Sequence, residues 1–179
     1  KMASVATNLN ISADTITVFG FVIGMLAALS ISFNLYGLGL SGIVINRVLD
    51  GLDGEVARQT NPSNRGAYLD IVLDFIFYSA IVFAFAIAQP ENNALPAAAL
   101  IFSFMGTGSS FLAFAIFAER LELSSMTYPS KGFYYLNGIT EGTETILFFV
   151  AMCLFPTQFA LIAWVFFTLC VITTITRVI

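Results

Sequence analysis

Asp50, Asp53, Asp70 and Asp74 stand in one short stretch of a chain that is otherwise mostly hydrocarbon. Asp50 and Asp53 are spaced i and i+3, Asp70 and Asp74 i and i+4, so on helices each pair shares a face. Two apolar helices joined by a tight loop would bring all four acids into one cluster. Ionised carboxylates gathered that closely repel and lose hydration, so within a membrane they protonate or find cations. One or two hard divalent ions with oxygen ligands are the economical partners. Such ions at a membrane surface suit phosphoryl chemistry.

The composition specifies the medium. Of 179 residues, 58% are hydrophobic and only 10% charged, and the mean hydropathy is +0.89, which excludes an ordinary soluble domain and predicts a polytopic all-α membrane protein. Strand-scale alternation is missing, so a transmembrane barrel is not expected. The 19 Phe suit lipid-facing and interhelical packing rather than any particular chemistry. The net charge of −4 comes largely from the clustered acids, and the seven basic residues make no stripe, so a nucleic-acid partner is not expected. Cys153 and Cys170 lie in apolar segments and read as buried reduced thiols. Without His or a Cys-x-x-Cys, a zinc site is disfavoured. The chain opens on a polar stretch and then a full-length span, so no cleavable signal peptide is expected.

Hydropathy and turn chemistry predict one domain, 1–179, of six transmembrane helices after a juxtamembrane segment, 1–14. Asn10, Ser12 and Asp14 are candidate N-caps for the first helix. The helices are expected at 15–33, 38–59, 66–88, 95–120, 132–154 and 159–179, with loops at 60–65 and 89–93. Six spans put both termini on one side. Lys1, Arg58, Arg65, Arg120, Lys131 and Arg177 then fall at the ends shared with the termini, while the opposite loops at 34–37, 89–93 and 155–158 carry no Lys or Arg. The positive-inside rule assigns the termini, and with them the acid cluster, to the cytoplasm.

The acids belong to a longer pattern: D-x-x-D-G-x-x-A-R, seven residues, then G-x-x-x-D-x-x-x-D, carried by Asp50, Asp53, Gly54, Ala57, Arg58, Gly66, Asp70 and Asp74. This resembles, at all eight defining positions, the signature of the CDP-alcohol phosphotransferase family of integral membrane enzymes. The six-span layout extends the resemblance over most of the chain. It implies transfer of a substituted phosphate from a CDP-linked alcohol to an acceptor hydroxyl, with release of CMP, in phospholipid biosynthesis. It also implies Mg²⁺ or Mn²⁺, as two ions, with Asp50, Asp53 and Asp70 as core ligands and Asp74 completing the second site. The family's last Asp is its proposed general base, which here is Asp74. Gly54, Ala57, Arg58 and Gly66 would serve the nucleotide, with Arg58 reaching the diphosphate. For the glycines, close helix packing is an equal alternative; for Arg58, the alternative is an interfacial arginine. A homodimer in a bacterial or archaeal inner or plasma membrane, with its site facing the cytoplasm, is likewise implied. CDP-diacylglycerol is the favoured donor because a membrane site gives its tails lateral access; a soluble CDP-alcohol with a lipid acceptor fits the residues nearly as well.

Outside the signature, Glu141 and Glu144 stand i and i+3 in a polar stretch near Lys131, and Arg177 ends the last helix. They are candidates for an acceptor pocket, or for structural ion pairs. Two glutamates favour a neutral or amine-bearing alcohol. Arg47, one turn before Asp50, is expected to pair with Asp50 or Glu144, or to meet substrate. The run at 106–110 reads as a small-residue packing face. Two other classes compete. An aspartate-rich prenyltransferase would release pyrophosphate and gives Ala57, Arg58 and Gly66 no reason to match. A cation- or proton-coupled transporter would place its acids at mid-membrane within paired, interrupted helices, which are not evident.

Overall fold

A computed structural model describes residues 11–60, 63–120, 140 and 142–179, with Ala3 and Thr7. Among these residues there are six α-helices and no strand: α1 (Ala13–Ser32), α2 (Tyr36–Gln59), α3 (Asn64–Ala88), α4 (Pro90–Arg120), α5 (Gly142–Leu154) and α6 (Phe159–Val178), the last preceded by a 3-10 turn at Pro156–Gln158. Four are long and apolar enough to cross a membrane: α1, α3, α4 as far as Phe117, and α6 with its leading turn. The chain is an integral membrane protein. Its surface agrees, since Phe19, Leu26, Phe83 and Phe102 each expose more than half their area, which is unfavourable in water and neutral in lipid. The 24-residue α2 rises about 36 Å but carries Arg47, Asp50, Asp53, Glu55 and Arg58, and α5 has 13 residues.

The helix ends follow from local chemistry. Ser12 caps α1, its Oγ accepting from the Thr15 N–H at 3.2 Å; Asp14 sits in the first turn instead, and Asn10 lies outside the described residues. At the other end Asn34 takes a left-handed φ of 63°. There the Leu35 N–H donates to the Ser30 carbonyl (3.0 Å) and the Asn34 N–H to the Ile31 carbonyl (2.8 Å), a Schellman stop. Ser63 caps α3 through the Gly66 N–H at 2.9 Å. The expected loop at 89–93 is corrected: only Gln89 breaks the helices, and α4 begins at Pro90. Proline is favoured at a first helical position because its missing N–H has no partner there, and Glu91 in that turn suits the helix dipole.

The chain divides into two compact units, Lys1–Pro90 and Glu91–Ile179. In the first, α1 packs along α2 and α3. Glycines allow the close approach: a Cβ at Gly42 would lie 2.6 Å from the Ala27 Cβ, and one at Gly24 2.7 Å from the Phe77 ring. Ile31, Ile43, Phe77, Ile81 and Phe85 fill the seam and are fully buried. In the second unit Phe104 and Phe148 pack on Phe166, with ring centroids 5.5 and 4.3 Å apart. A Cβ at Gly106 would stand 3.0 Å from Thr174 Oγ1, so packing is the role of that glycine. Cys153 and Cys170 are buried free thiols, as expected.

Candidate active site

A cavity of about 560 Å³ lies in the first unit, where α1 begins, α2 ends and α3 begins; its size is that of a small-molecule site. Asp53, Gly54 and Ala57 line it from α2, Gly66 and Asp70 from α3, and Ser12, Asp14 and Thr17 from the start of α1. Five of the eight signature positions thus converge because α2 ends and α3 starts at this cavity, so residues far apart in the motif face one space. The two glycines behave differently. A Cβ on Gly54 would find nothing nearer than an Arg58 nitrogen at 3.6 Å, whereas one on Gly66 would meet Asp14 Oδ1 at 3.1 Å and Ser63 Oγ at 3.2 Å. Gly54 therefore keeps a wall low, and Gly66 sits under a close roof. Arg58 is not among the residues lining the cavity; it is exposed and pairs with Glu55 at 2.8 Å.

Next to the cavity is a crevice of about 10 Å³, bordered by Asp50, Asp53, Asp70 and Asp74 together with Thr17, Asn46 and Arg47. All four acids expected to cluster do so. Within the crevice they have different partners. Asp53 accepts from the Thr17 hydroxyl at 2.5 Å. Asp74 is paired with Arg47 through Nη2 at 2.7 Å and Nη1 at 3.3 Å, and with the Tyr78 hydroxyl at 2.9 Å. Arg47 also reaches Asp50 at 3.4 Å. The expected Arg47–Asp50 pair is present, and the shorter pairing is with Asp74. With side-chain exposures of 17% and 26%, the Arg47–Asp74 pair is shielded enough for its attraction to exceed that of a surface pair.

Hard oxygen donors in one crevice fit a divalent ion of the Mg²⁺ or Mn²⁺ type. As they stand, no three His, Cys, Asp or Glu side chains among the described residues form a set that could hold an ion; Asp74 pairs with Arg47 and Asp53 with Thr17. The donor set fits the ion; the rotamers shown serve internal partners.

The second unit holds the other candidates. Glu144 lies in the first turn of α5. Arg177 donates from Nη1 to the Thr107 carbonyl at 3.2 Å, and its guanidinium lies 5.9 Å from the Phe111 ring centre. Lys131 and Glu141 lie outside the described residues. Four residues at the site were not assigned to it from sequence. Tyr78 carried a signal, being one helical turn beyond Asp74, and so did Asn46, a lone amide in an apolar run. Thr17 and Asp14 carried none, because their roles depend on how α1 sits against α2 and α3.

Inner membrane protein YnjF of Escherichia coli K12 is 51% identical over 168 residues, covering 94% of this chain and 82% of that one. Archaetidylinositol phosphate synthase of Pyrococcus horikoshii is 31% identical over 134 residues, 68% of this chain and 70% of that one. The fold is that of Mycobacterium tuberculosis phosphatidylinositol phosphate synthase, PgsA1. Its structure with CDP-DAG bound has a TM-score of 0.71 at 19% identity, covering 98% of this chain and 89% of that one. Its structure in complex with manganese and citrate gives 0.70 at the same identity, covering 98% and 85%. Residues 10–176 match the family model of the CDP-alcohol phosphatidyltransferases, and as that span contains every position of the aspartate signature, the chain belongs to this family of transferases.

Proposed function

We propose that the protein transfers a phosphatidyl group from CDP-diacylglycerol to an acceptor alcohol and releases CMP. The observation that carries this reading is the meeting of Asp53, Gly54, Ala57, Gly66 and Asp70 on one cavity beside the crevice of four acids. The cavity takes the nucleotide, with Gly54 leaving room for it against the α2 backbone. Bound Mg²⁺ or Mn²⁺, as two ions held by Asp50, Asp53 and Asp70, would neutralise the diphosphate and stabilise the leaving phosphate; Asp74, whose oxygens are largely taken by Arg47 and Tyr78, is left for the acceptor. Asp74 accepts the proton of the acceptor hydroxyl. The acceptor oxygen bonds to the phosphorus bearing the diacylglycerol, the anhydride P–O bond breaks, and its electron pair leaves with CMP. The reported contents of the PgsA1 structures, CDP-DAG in one and manganese in another, support donor and metal. Six spans with α2 and α5 included, a single catalytic domain, cytoplasmic termini and site, an inner-membrane location and a homodimer complete the proposal. The basic residues that six spans would gather at the ends shared with the termini support this orientation.

The test is CMP release by purified protein given CDP-diacylglycerol, Mg²⁺ or Mn²⁺, and a pool of inositol phosphate, glycerol phosphate, glycerol, serine and ethanolamine. The pool separates two acceptor classes: the acidic start of α5 favours neutral or amine-bearing alcohols, while the name of the Pyrococcus relative favours a phosphorylated polyol. Metal-dependent CMP formation with one class is expected; none with any member, metal present, would sink the reading. Glu144→Gln should then shift preference among acceptors more than it alters metal dependence, and an unchanged acceptor profile would remove α5 from the acceptor site.

A further inference from the structure

Asp74 is held unevenly by its neighbours. Among the described residues, Oδ2 accepts from the Tyr78 hydroxyl (2.9 Å) and from Arg47 Nη1 (3.3 Å), whereas Oδ1 accepts once, from Arg47 Nη2 (2.7 Å). Each carboxylate oxygen has two acceptor positions. One oxygen is therefore filled, and the other keeps a place for a further donor. Arg47 has little freedom to change this. Its Nε donates to Asn46 Oδ1 at 2.8 Å, and the Asn46 amide, 4% exposed, donates to the Gly20 carbonyl of α1 at 2.9 Å. The guanidinium lies 5.0 Å from the Phe77 ring centre and 5.7 Å from that of Tyr78. A planar fork fixed in this way sets an angle as well as a charge.

We propose that Arg47 and Tyr78 are positioning residues for Asp74: they fill Oδ2 and present Oδ1 to the acceptor hydroxyl, with Asn46 bracing Arg47 against α1. This rests on Asp74 acting as the base in the reaction above. In the transfer step the acceptor's proton passes to Oδ1 while its oxygen forms the new P–O bond and CMP departs with the electron pair of the broken anhydride bond. A plain counter-charge would explain Arg47 but would give Tyr78 and the Asn46 brace no part. Lysine at position 47 would serve a counter-charge equally well.

The experiment compares wild type, Tyr78→Phe, Arg47→Lys and Asp74→Asn in CMP release from CDP-diacylglycerol with the same acceptor pool, separating kcat from KM. Loss of one hydrogen bond to a charged group predicts a kcat about tenfold lower for Tyr78→Phe, and loss of the fork a drop of about tenfold for Arg47→Lys. The KM for CDP-diacylglycerol should be unchanged in both. Wild-type kcat in Tyr78→Phe, or a change confined to KM, overturns the positioning role, and Tyr78→Phe alone decides should Arg47→Lys fail to fold. Asp74→Asn at wild-type turnover would remove the base itself; Asp74→Asn inactive beside a fully active Tyr78→Phe would remove only the positioning.

Discussion

Asp74→Asn is expected to lower CMP release by roughly 10²–10⁴-fold, the contribution of a well-placed general base, while leaving the fold and donor binding in place. The substitution keeps the size of the side chain. An asparagine can turn its carbonyl oxygen toward Arg47 Nη2, now 2.7 Å from Asp74, and its amide toward the Tyr78 hydroxyl, which can rotate to accept. The weaker contact with Arg47 Nη1 and the oxygen that accepted the Tyr78 hydroxyl proton are then lost. Donor binding should survive because the large cavity is lined by Asp53 and Asp70 and not by Asp74. The measurements are kcat, the melting temperature in detergent, and the affinity for CDP-diacylglycerol. Turnover near wild type would show that another group takes the proton, and unfolding would show that the Arg47–Asp74 pair is structural.

The separation of the large cavity from Asp74 was only half legible in the sequence. Helix type, the two helices carrying the acids and the clustering of all four followed from spacing and hydropathy, which are local properties. The family resemblance extended that reading to Gly54, Ala57 and Gly66, which the fold brings to one cavity. The local partners of the acids were less accessible. Arg47 spans from α2 to α3, and its choice of Asp74 over Asp50 depends on the rotation of one helix against another, fixed by the small residues Gly24 and Gly42 and by the Phe77 ring. Thr17 reaches Asp53 across the α1–α2 seam for the same reason. The reading also failed at Pro90, where loop-like composition turned out to be the first turn of α4. Arg58 shows the limit from the other side: a charge that the signature directs at a diphosphate is turned to Glu55 in this structure. Spacing fixes which face a side chain shares, but not which partner wins when several lie within reach.

Gly54 of α2 allows the proposed donor cavity to be tested without disturbing the fold. Gly54→Leu is expected to weaken CDP-diacylglycerol binding by at least about a hundredfold, or roughly 3 kcal/mol, the upper end of what overfilling a packed space costs. Its side chain meets open space rather than a neighbouring helix, since only the mobile end of Arg58 comes within 4 Å of a Cβ there. Replacing an interior helical glycine also favours α2 by about 1 kcal/mol, so the melting temperature should hold or rise. Gly42→Ala, on the same helix, should do the reverse. Its Cβ would press to 2.6 Å on the Ala27 Cβ and 3.3 Å on the Ala27 Cα of α1, so about 1–3 kcal/mol of stability should be lost while the protein that remains folded binds donor normally. Affinity and melting temperature measured on both variants place the two glycines on opposite axes. If Gly54→Leu binds CDP-diacylglycerol as tightly as wild type, the nucleotide does not occupy this cavity, and its place has to be sought away from the wall that Gly54 keeps low.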